Sequence, residues 1–399
     1  NPMFTEVQIE NYKSIHSLKI NLGRVNVFIG ENGCGKSNIL EAIALAGAAA
    51  GNKLDNEFLA PRGIRVTEPE FMRSAFDKES ITKEIKINLK TTHNTVLDFR
   101  LQNNNQPYSK WIELSNLDQG ELIDKLKEKF NEEPSIARED VEYLVVAIEQ
   151  LNKQKINFID NGKLNNNYIY QASTNFKKDN FDISKFLVYS PENSLLRTFT
   201  EEGQVQPLGI KGEGLLKLLR VVSNTPERID EIKKRLELID WFDDFKLYQD
   251  SDIERTIQIK DRYLDKELPY FNQRSSNEGF LFLMFYFALF VSDDTPKFFA
   301  IDNIENALNP KLCTKLIQEL VELAKKYDKQ VIFTTHNPAI LDGLDLHDDE
   351  QRLFTIYRNI DGHTKAKRVY APEPLDDDDP VPLSEAFMNG YIGGLPNNF

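Results

Sequence analysis

The segment Gly30-Glu-Asn-Gly-Cys-Gly-Lys-Ser37 constrains the fold of this chain more than any other stretch. An apolar run, Val25-Asn-Val-Phe-Ile29, precedes it, and Asn38-Ile-Leu-Glu-Ala-Ile-Ala-Leu45 follows with the apolar content of a helix. A strand, a glycine-rich loop and a helix in that order are the context a phosphate-binding loop requires. The glycines let successive backbone N–H groups turn inward around a triphosphate, and the helix N-terminus adds its partial positive charge. Lys36 is then expected to reach the outer phosphates and the Ser37 hydroxyl to help hold Mg²⁺. The predicted ligand is a nucleoside triphosphate such as ATP, with magnesium.

At 399 residues the chain is long enough for two or three domains, or for one large α/β domain with insertions. Hydrophobic residues at 40% and charged residues at 28% describe an ordinary soluble globular protein. The longest strongly apolar stretch, Phe280 to Val291, falls short of the ~20 residues a bilayer span needs and is predicted to be a buried helix. No charged-then-apolar N-terminal segment suggests export, and Asn1-Pro2 ahead of Met3 reads as a cloning remnant. Only two cysteines occur, Cys34 in the glycine loop and Cys313 on a predicted helix, which make neither a disulfide framework nor a zinc site. A reducing cytoplasm is the expected compartment, with no membrane partner. The net charge of −14 gives no support to DNA as a partner, because Lys and Arg supply most non-specific affinity for phosphate.

Along the chain, Phe4 to Glu10 and Ile15 to Asn21 alternate apolar and polar residues and predict a hairpin around Asn11-Tyr-Lys-Ser14. Ile81 to Leu89 and Thr95 to Leu101 predict two more strands, with a loop at Asn103 to Pro107. Asp118 to Asn157 has helical spacing, and the Asn-rich patch Asn161 to Asn167 reads as a surface loop. Phe186 to Pro191 predicts a strand running into a loop, and Gly209, Gly212 and Gly214 a turn before a helix starting near Leu215. A charged amphipathic helix is expected over Pro226 to Leu238, a strand over Ile253 to Ile259, and a helix over Pro310 to Tyr327. No internal repeat and no long heptad run is present.

Lys297-Phe-Phe-Ala-Ile-Asp302 is an apolar strand ending in an acid, the form of a Mg²⁺-associated Walker B strand, and Val331-Ile-Phe-Thr-Thr-His336 is a second apolar strand after it. With the glycine loop, these segments resemble the head of ABC-type ATPases of the SMC, RecF, RecN and OLD group. The resemblance covers roughly the first 50 and the last 215 residues. Ile9-Glu-Asn-Tyr-Lys-Ser-Ile15 resembles the group's N-terminal strand and turn, implying that Lys13 and Ser14 approach the nucleotide. Gly30 to Asn38 resembles its Walker A form, implying contacts from Asn32, Gly33, Cys34, Gly35, Lys36, Ser37 and Asn38, although Cys34 stands where Ser, Ala or Thr is more usual. Ser275-Ser-Asn-Glu-Gly279 resembles the signature loop. It implies that Asn277 and Gly279, with Ser276 as an alternative donor, cap the γ-phosphate held by a second subunit. Asp302 to Pro310 resembles Walker B plus the D-loop, with Ser37 and Asp302 as the implied magnesium ligands. Thr334-Thr-His-Asn-Pro338 resembles the switch segment, making His336 the implied γ-phosphate sensor.

The fold this implies is α/β, a P-loop NTPase of ABC-head type with a mixed central sheet, an antiparallel β subdomain and a helical insertion. Residues 1–110 would carry Walker A, 111–185 the insertion, and 186–399 the signature, Walker B and switch histidine. Two departures matter. Most such heads carry a water-activating glutamate after the Walker B aspartate, whereas this chain has Asn303, and an amide cannot accept a proton at neutral pH. Glu305 is the nearby carboxylate the motif offers, so slow ATP turnover or ATP-dependent switching is expected. Long coiled-coil arms are also absent, and the acidic run Asp376 to Asp379 reads as a solvated loop rather than a nuclease metal site. The expected protein is an ATPase that senses or gates for a separately encoded effector, a nuclease or toxin, in phage defence. It would act as an even-numbered homo-oligomer with ATP sandwiched between heads. A RecF-like DNA clamp and a nucleotide-binding scaffold are the alternatives.

Overall fold

The computed structural model describes residues 2–113, 159–160, 163–164, 182–198, 207–247, 257–267, 270–272, 278–306, 308–372, 381–390 and 392. The helices expected over 118–157, the signature residues 275–277 and the acidic run 376–379 lie outside these. Among the described residues no helix is long and apolar enough to cross a membrane.

The chain divides into two compact units. The first comprises Asn1–Gly23, Gly33–Phe186 and Ile356–Lys367. It holds a five-stranded sheet in the order Ile15–Asn21, Phe4–Tyr12, Ile85–Thr91, Val96–Gln102 and Ile112–Glu113, every neighbouring pair antiparallel. Alternation makes one face apolar: Val7 sits between Ile20 and Leu89, Ile9 between Leu18 and Ile87, and all six are buried. The other face carries a charge ladder in which Glu6 meets Lys19 at 3.3 Å and Lys90 at 3.6 Å, and Glu84 meets Arg100 at 2.6 Å. Exposed pairs of this kind contribute about 0–1 kcal/mol each, so the apolar face carries the stability. The third strand begins at Ile85 rather than Ile81 because Ser80–Thr82 form a 3-10 turn, held by the Ser80 N–H donating to Asp77 at 2.7 Å. The helix Lys36–Ala50 is buried around nearly its whole circumference. Small residues admit its neighbours: a Cβ at Gly47 would lie 2.6 Å from the Ile183 carbonyl.

The second unit comprises Arg24–Asn32, Leu187–Thr355 and Arg368–Phe399. Most of a six-stranded sheet lies in this unit, in the order Thr364–Val369, Gln351–Arg358, Val25–Ile29, Gln330–Thr335, Phe298–Ile301 and Val188–Tyr189, with residues 356–358 and 364–367 assigned to the first unit. The last five of these strands are mutually parallel. Val25–Ile29, Phe298–Ile301 and Gln330–Thr335 are buried at every position, as a parallel strand covered on both faces must be. The helix Glu278–Val291 is buried throughout Phe280–Val291, which its apolar run predicts. The helix Pro310–Lys326 starts with Pro310 in its first turn and with Asn309 accepting the Leu312 N–H at 2.9 Å. Its Leu316, Ile317, Leu320 and Leu323 enter the same core as the sheet. A three-stranded antiparallel sheet, Phe242–Leu247, Ile257–Asp261 and Phe271–Asn272, completes the unit.

The strands Gln351–Arg358 and Thr364–Val369 were not anticipated. The first is buried over Leu353–Ile356 on consecutive positions, so it lacks the two-residue period that marks a half-exposed strand.

Candidate functional site

In the first unit the site is built around the start of the helix Lys36–Ala50. Gly35 precedes it in a left-handed conformation, φ 105°, and no side chain caps the helix. A helix start of this kind favours an anion. A Cβ at Gly35 would lie 2.0 Å from Thr364 Oγ1 and 2.7 Å from Ser14 Oγ, so both backbone angle and space demand glycine. Lys36 is buried, with Nζ 3.7 Å from Cys34 Sγ. Ser14 joins the turn of the N-terminal hairpin to this loop through Thr364 Oγ1 at 2.6 Å and Asn38 Nδ2 at 2.7 Å.

Glu41, one turn further along the same helix, is 1% exposed and organises two cations. Its Oε1 accepts from Lys13 Nζ at 2.9 Å and from the Arg65 backbone N–H at 2.8 Å. Its Oε2 accepts from Arg65 Nη2 at 2.6 Å and Nε at 3.1 Å. Burial lowers the Lys13 pKa, with Glu41 opposing that shift, and burial raises the Tyr12 phenol. Lys13, Ser14, Asn38, Arg65, Phe71 and Arg358 line one cavity of about 380 Å³. Neither Glu41 nor Arg65 was singled out from sequence; the one available signal is a glutamate interrupting the apolar run 39–50.

In the second unit the site residues gather at one edge of the parallel sheet. Ile301 pairs with Phe333 and Ile29 with Thr335, so the strands leading to Asp302, His336 and Gly30 all end on the same side. That carboxyl edge is where open α/β sheets bind ligands. Asp302 accepts the Thr334 hydroxyl, and the same oxygen of Thr334 receives the Asn303 N–H at 2.9 Å. Asn303 is left-handed, φ 51°, a conformation asparagine tolerates better than most residues. Glu305 is buried; its Oε1 accepts from the His336 backbone N–H at 3.3 Å and lies 2.9 Å from His336 Nδ1. Among the described residues no donor reaches Glu305 Oε2. The surroundings of Glu305 are dry: the Tyr286 phenol is raised by burial and then by Glu305, and the Cys313 thiol is pushed up to about 11 by the same two causes.

Of the residues expected from sequence, Lys13, Ser14, Gly33, Cys34, Gly35, Lys36, Ser37 and Asn38 fall in the first unit. Asn32, Gly279, Asp302, Asn303, Glu305 and His336 fall in the second. Gly279 occupies the second position of the helix Glu278–Val291, while Ser276 and Asn277 lie outside the described residues. Among the described residues no group of three His, Cys, Asp or Glu side chains could hold a metal by itself.

Comparison with known proteins adds the following. The family described as "AAA domain, putative AbiEii toxin, Type IV TA system" matches residues 25–342. An uncharacterized protein of Methanocaldococcus jannaschii is 32% identical over 113 residues, 27% of this chain and 50% of that protein. The DNA replication and repair protein RecF of Bacillus mycoides is 39% identical over 54 residues, 13% of this chain and 14% of that protein. The chain thus spans half the length, or less, of these relatives. Among solved structures, an SMC head bound to the C-winged helix domain of ScpA superposes with a TM-score of 0.53 at 13% identity, covering 92% of this chain and 97% of that one. The SMC head domain from Thermotoga maritima covers 92% of this chain and 99% of its own, at 13% identity and a TM-score of 0.46. At such identity the likeness to the first head is one of fold.

Proposed function

Because this chain belongs to that AAA-domain family and has the fold of an ABC-type ATPase head, we propose that it binds ATP with Mg²⁺, hydrolyses it slowly, and uses the nucleotide to gate a separately encoded effector. One observation carries the reading: the start of the glycine loop, Asp302 and His336 leave three adjacent parallel strands at the same edge. The nucleotide fits the groups on offer. The uncapped helix start suits phosphate. The cavity beside it adds the cations Lys13, Arg65 and Arg358 and the ring of Phe71, which suit a nucleotide rather than bare phosphate. Mg²⁺ takes hard oxygen donors from one or two side chains and leaves its other positions to phosphate and water. The Ser37 hydroxyl and the Asp302 carboxylate are donors of that kind, and the ion they would hold neutralises phosphate charge.

Lys36 stabilises the outer phosphates, Lys13 and Asn38 the inner end of the nucleotide, and the backbone from Asn32 to Gly35 wraps between them. His336 faces the γ-phosphate or the attacking water, and Glu305 holds the segment by accepting the His336 backbone N–H. Asn303 supplies no base, which supports slow turnover. Ser276, Asn277 and Gly279 serve a second copy of the chain, so that two heads enclose two nucleotides. The division at about residues 110 and 186 belongs to the same proposal, as do phage defence and the cytoplasm. A separate partner is supported by the similar SMC head, which is itself bound to a domain of another protein. A RecF-like DNA clamp draws on the 54-residue match, and the charge of −14 opposes it.

The test is equilibrium ATP binding and steady-state turnover by the purified chain. Wild type is expected to bind Mg²⁺-ATP and turn it over well below tens per second, and Lys36→Ala to lose binding at least ~100-fold. Binding unaffected by Lys36→Ala would remove the glycine loop from the site, and rapid turnover would refute the gate.

A further inference from the structure

The strand Thr364–Val369 places a hydroxyl against the glycine loop from 330 residues away, and the hydrogen bonds around it run in one direction only. Thr364 Oγ1 lies 2.8 Å from the Cys34 carbonyl, which can only accept, so the Thr364 proton points there. Ser14 Oγ, 2.6 Å from Thr364 Oγ1, must then donate its own proton to Thr364. Ser14 in turn accepts from Asn38 Nδ2 at 2.7 Å, and Asn38 Oδ1 accepts from Arg65 Nη2 at 2.9 Å. The Thr364 N–H closes the arrangement by donating to the Ser14 carbonyl at 2.8 Å. The chain therefore runs from Arg65 through Asn38, Ser14 and Thr364 to one peptide carbonyl of the loop. Thr364 is fully buried and Ser14 nearly so. Aligned bonds of this kind polarise one another in a dry setting.

The end of that chain matters because a trans peptide is planar, with its C=O and N–H pointing in opposite directions. Tying the Cys34 carbonyl to Thr364 fixes the Gly35 N–H on the opposite side of the peptide, away from Thr364. Gly35 has no Cβ to restrict rotation of that peptide, and its left-handed φ leaves the alternative orientation accessible. We propose that Thr364 is a positioning residue for nucleotide binding: its hydroxyl locks the Cys34–Gly35 peptide so that the Gly35 N–H faces the phosphates. This rests on the reading of the glycine loop as the ATP site.

The experiment compares ATP affinity, turnover and melting temperature without nucleotide for wild type, Thr364→Val, Thr364→Ser and Lys36→Ala. Valine keeps the shape and removes the hydroxyl, whereas serine keeps the hydroxyl. Thr364→Val is expected to weaken ATP binding about fivefold to tenfold, the worth of one buried hydrogen bond, with turnover at saturating ATP within about twofold of wild type. Thr364→Ser is expected to restore affinity to within about threefold. Equal affinity of Thr364→Val and wild type would overturn the proposal. So would a serine variant as weak as the valine one, which would assign the effect to packing of the methyl group. If the valine variant does not fold, Thr364→Ala, which also removes the hydroxyl, replaces it with the same expected loss. Lys36→Ala separates the two readings: if it binds ATP like wild type, the loop is not the nucleotide site and both fall. If it alone fails to bind, only the role of Thr364 falls.

Discussion

Two buried glutamates, one in each unit, lie among the candidate site residues, and they are treated differently. Glu41 on the helix Lys36–Ala50 has both oxygens engaged, by Lys13 and by the backbone and guanidinium of Arg65. Glu305 after the Walker B strand has one oxygen on His336 and, among the described residues, no donor on the other. A buried acceptor left without a donor costs about 1–3 kcal/mol. In the first unit both oxygens of the carboxylate are engaged by cations and a backbone N–H; in the second, Glu305 keeps one oxygen without a donor among the described residues, beside His336. On the proposed reading, binding belongs to the first unit and chemistry to the second.

The largest effect that could break this division comes from the first unit. Gly35→Ala would drive a methyl group into Thr364 Oγ1 and Ser14 Oγ, at 2.0 and 2.7 Å, and would strain a φ of 105°. ATP binding is expected to fall more than ~100-fold, because the peptide carrying the phosphate-facing N–H groups must move. Titration with a fluorescent ATP analogue reads this directly. An alanine variant that binds as tightly as wild type would mean the loop is not held as tightly as its contacts imply.

The next effect separates chemistry from binding in the second unit. Glu305→Gln keeps an oxygen for the His336 backbone N–H but removes the negative charge and the open carboxylate acceptor. Hydrolysis is expected to drop about 100-fold, the lower end of the range for general-base catalysis, while ATP affinity stays within about threefold. Single-turnover phosphate release and equilibrium binding measured on the same preparation give both numbers. Unchanged hydrolysis would take Glu305 out of the mechanism and leave its open oxygen without a role.

Local pattern made much of the molecule readable before any coordinates. The N-terminal hairpin is visible because Val7, Ile9, Leu18 and Ile20 alternate with charged residues, and the glycine loop because its chemistry requires a fixed spacing. The strands at Phe298 and Gln330 are readable as unbroken apolar runs. What escaped depends on contacts between distant residues. Thr364 looks like any threonine in a polar stretch, and only the fold brings it against Ser14, 350 positions away. Arg65 is an ordinary surface cation in sequence until Glu41 gathers it with Lys13. The open oxygen of Glu305 is a property of its burial, which one carboxylate in a polar loop sequence does not reveal.

The smallest expected effect addresses why the second unit lacks the usual acid. Asn303 follows the Walker B aspartate with φ 51°, and its N–H is tied to Thr334 Oγ1 at 2.9 Å. Glutamate is less at home in that conformation and should cost about 1 kcal/mol of stability, readable as a fall in melting temperature. Against that cost it supplies a carboxylate on an exposed residue at the carboxyl edge of the sheet, where the amide of asparagine can take no proton. Asn303→Glu is therefore expected to raise turnover about tenfold and to rescue part of the activity lost in Glu305→Gln. Rescue would place both carboxylates within reach of one water and show that slow turnover follows from residue 303. Lower turnover in the single variant, with no rescue in the double, would show instead that the left-handed backbone at 303 is what the second unit depends on. Asparagine would then be present for its conformation rather than for its lack of basicity.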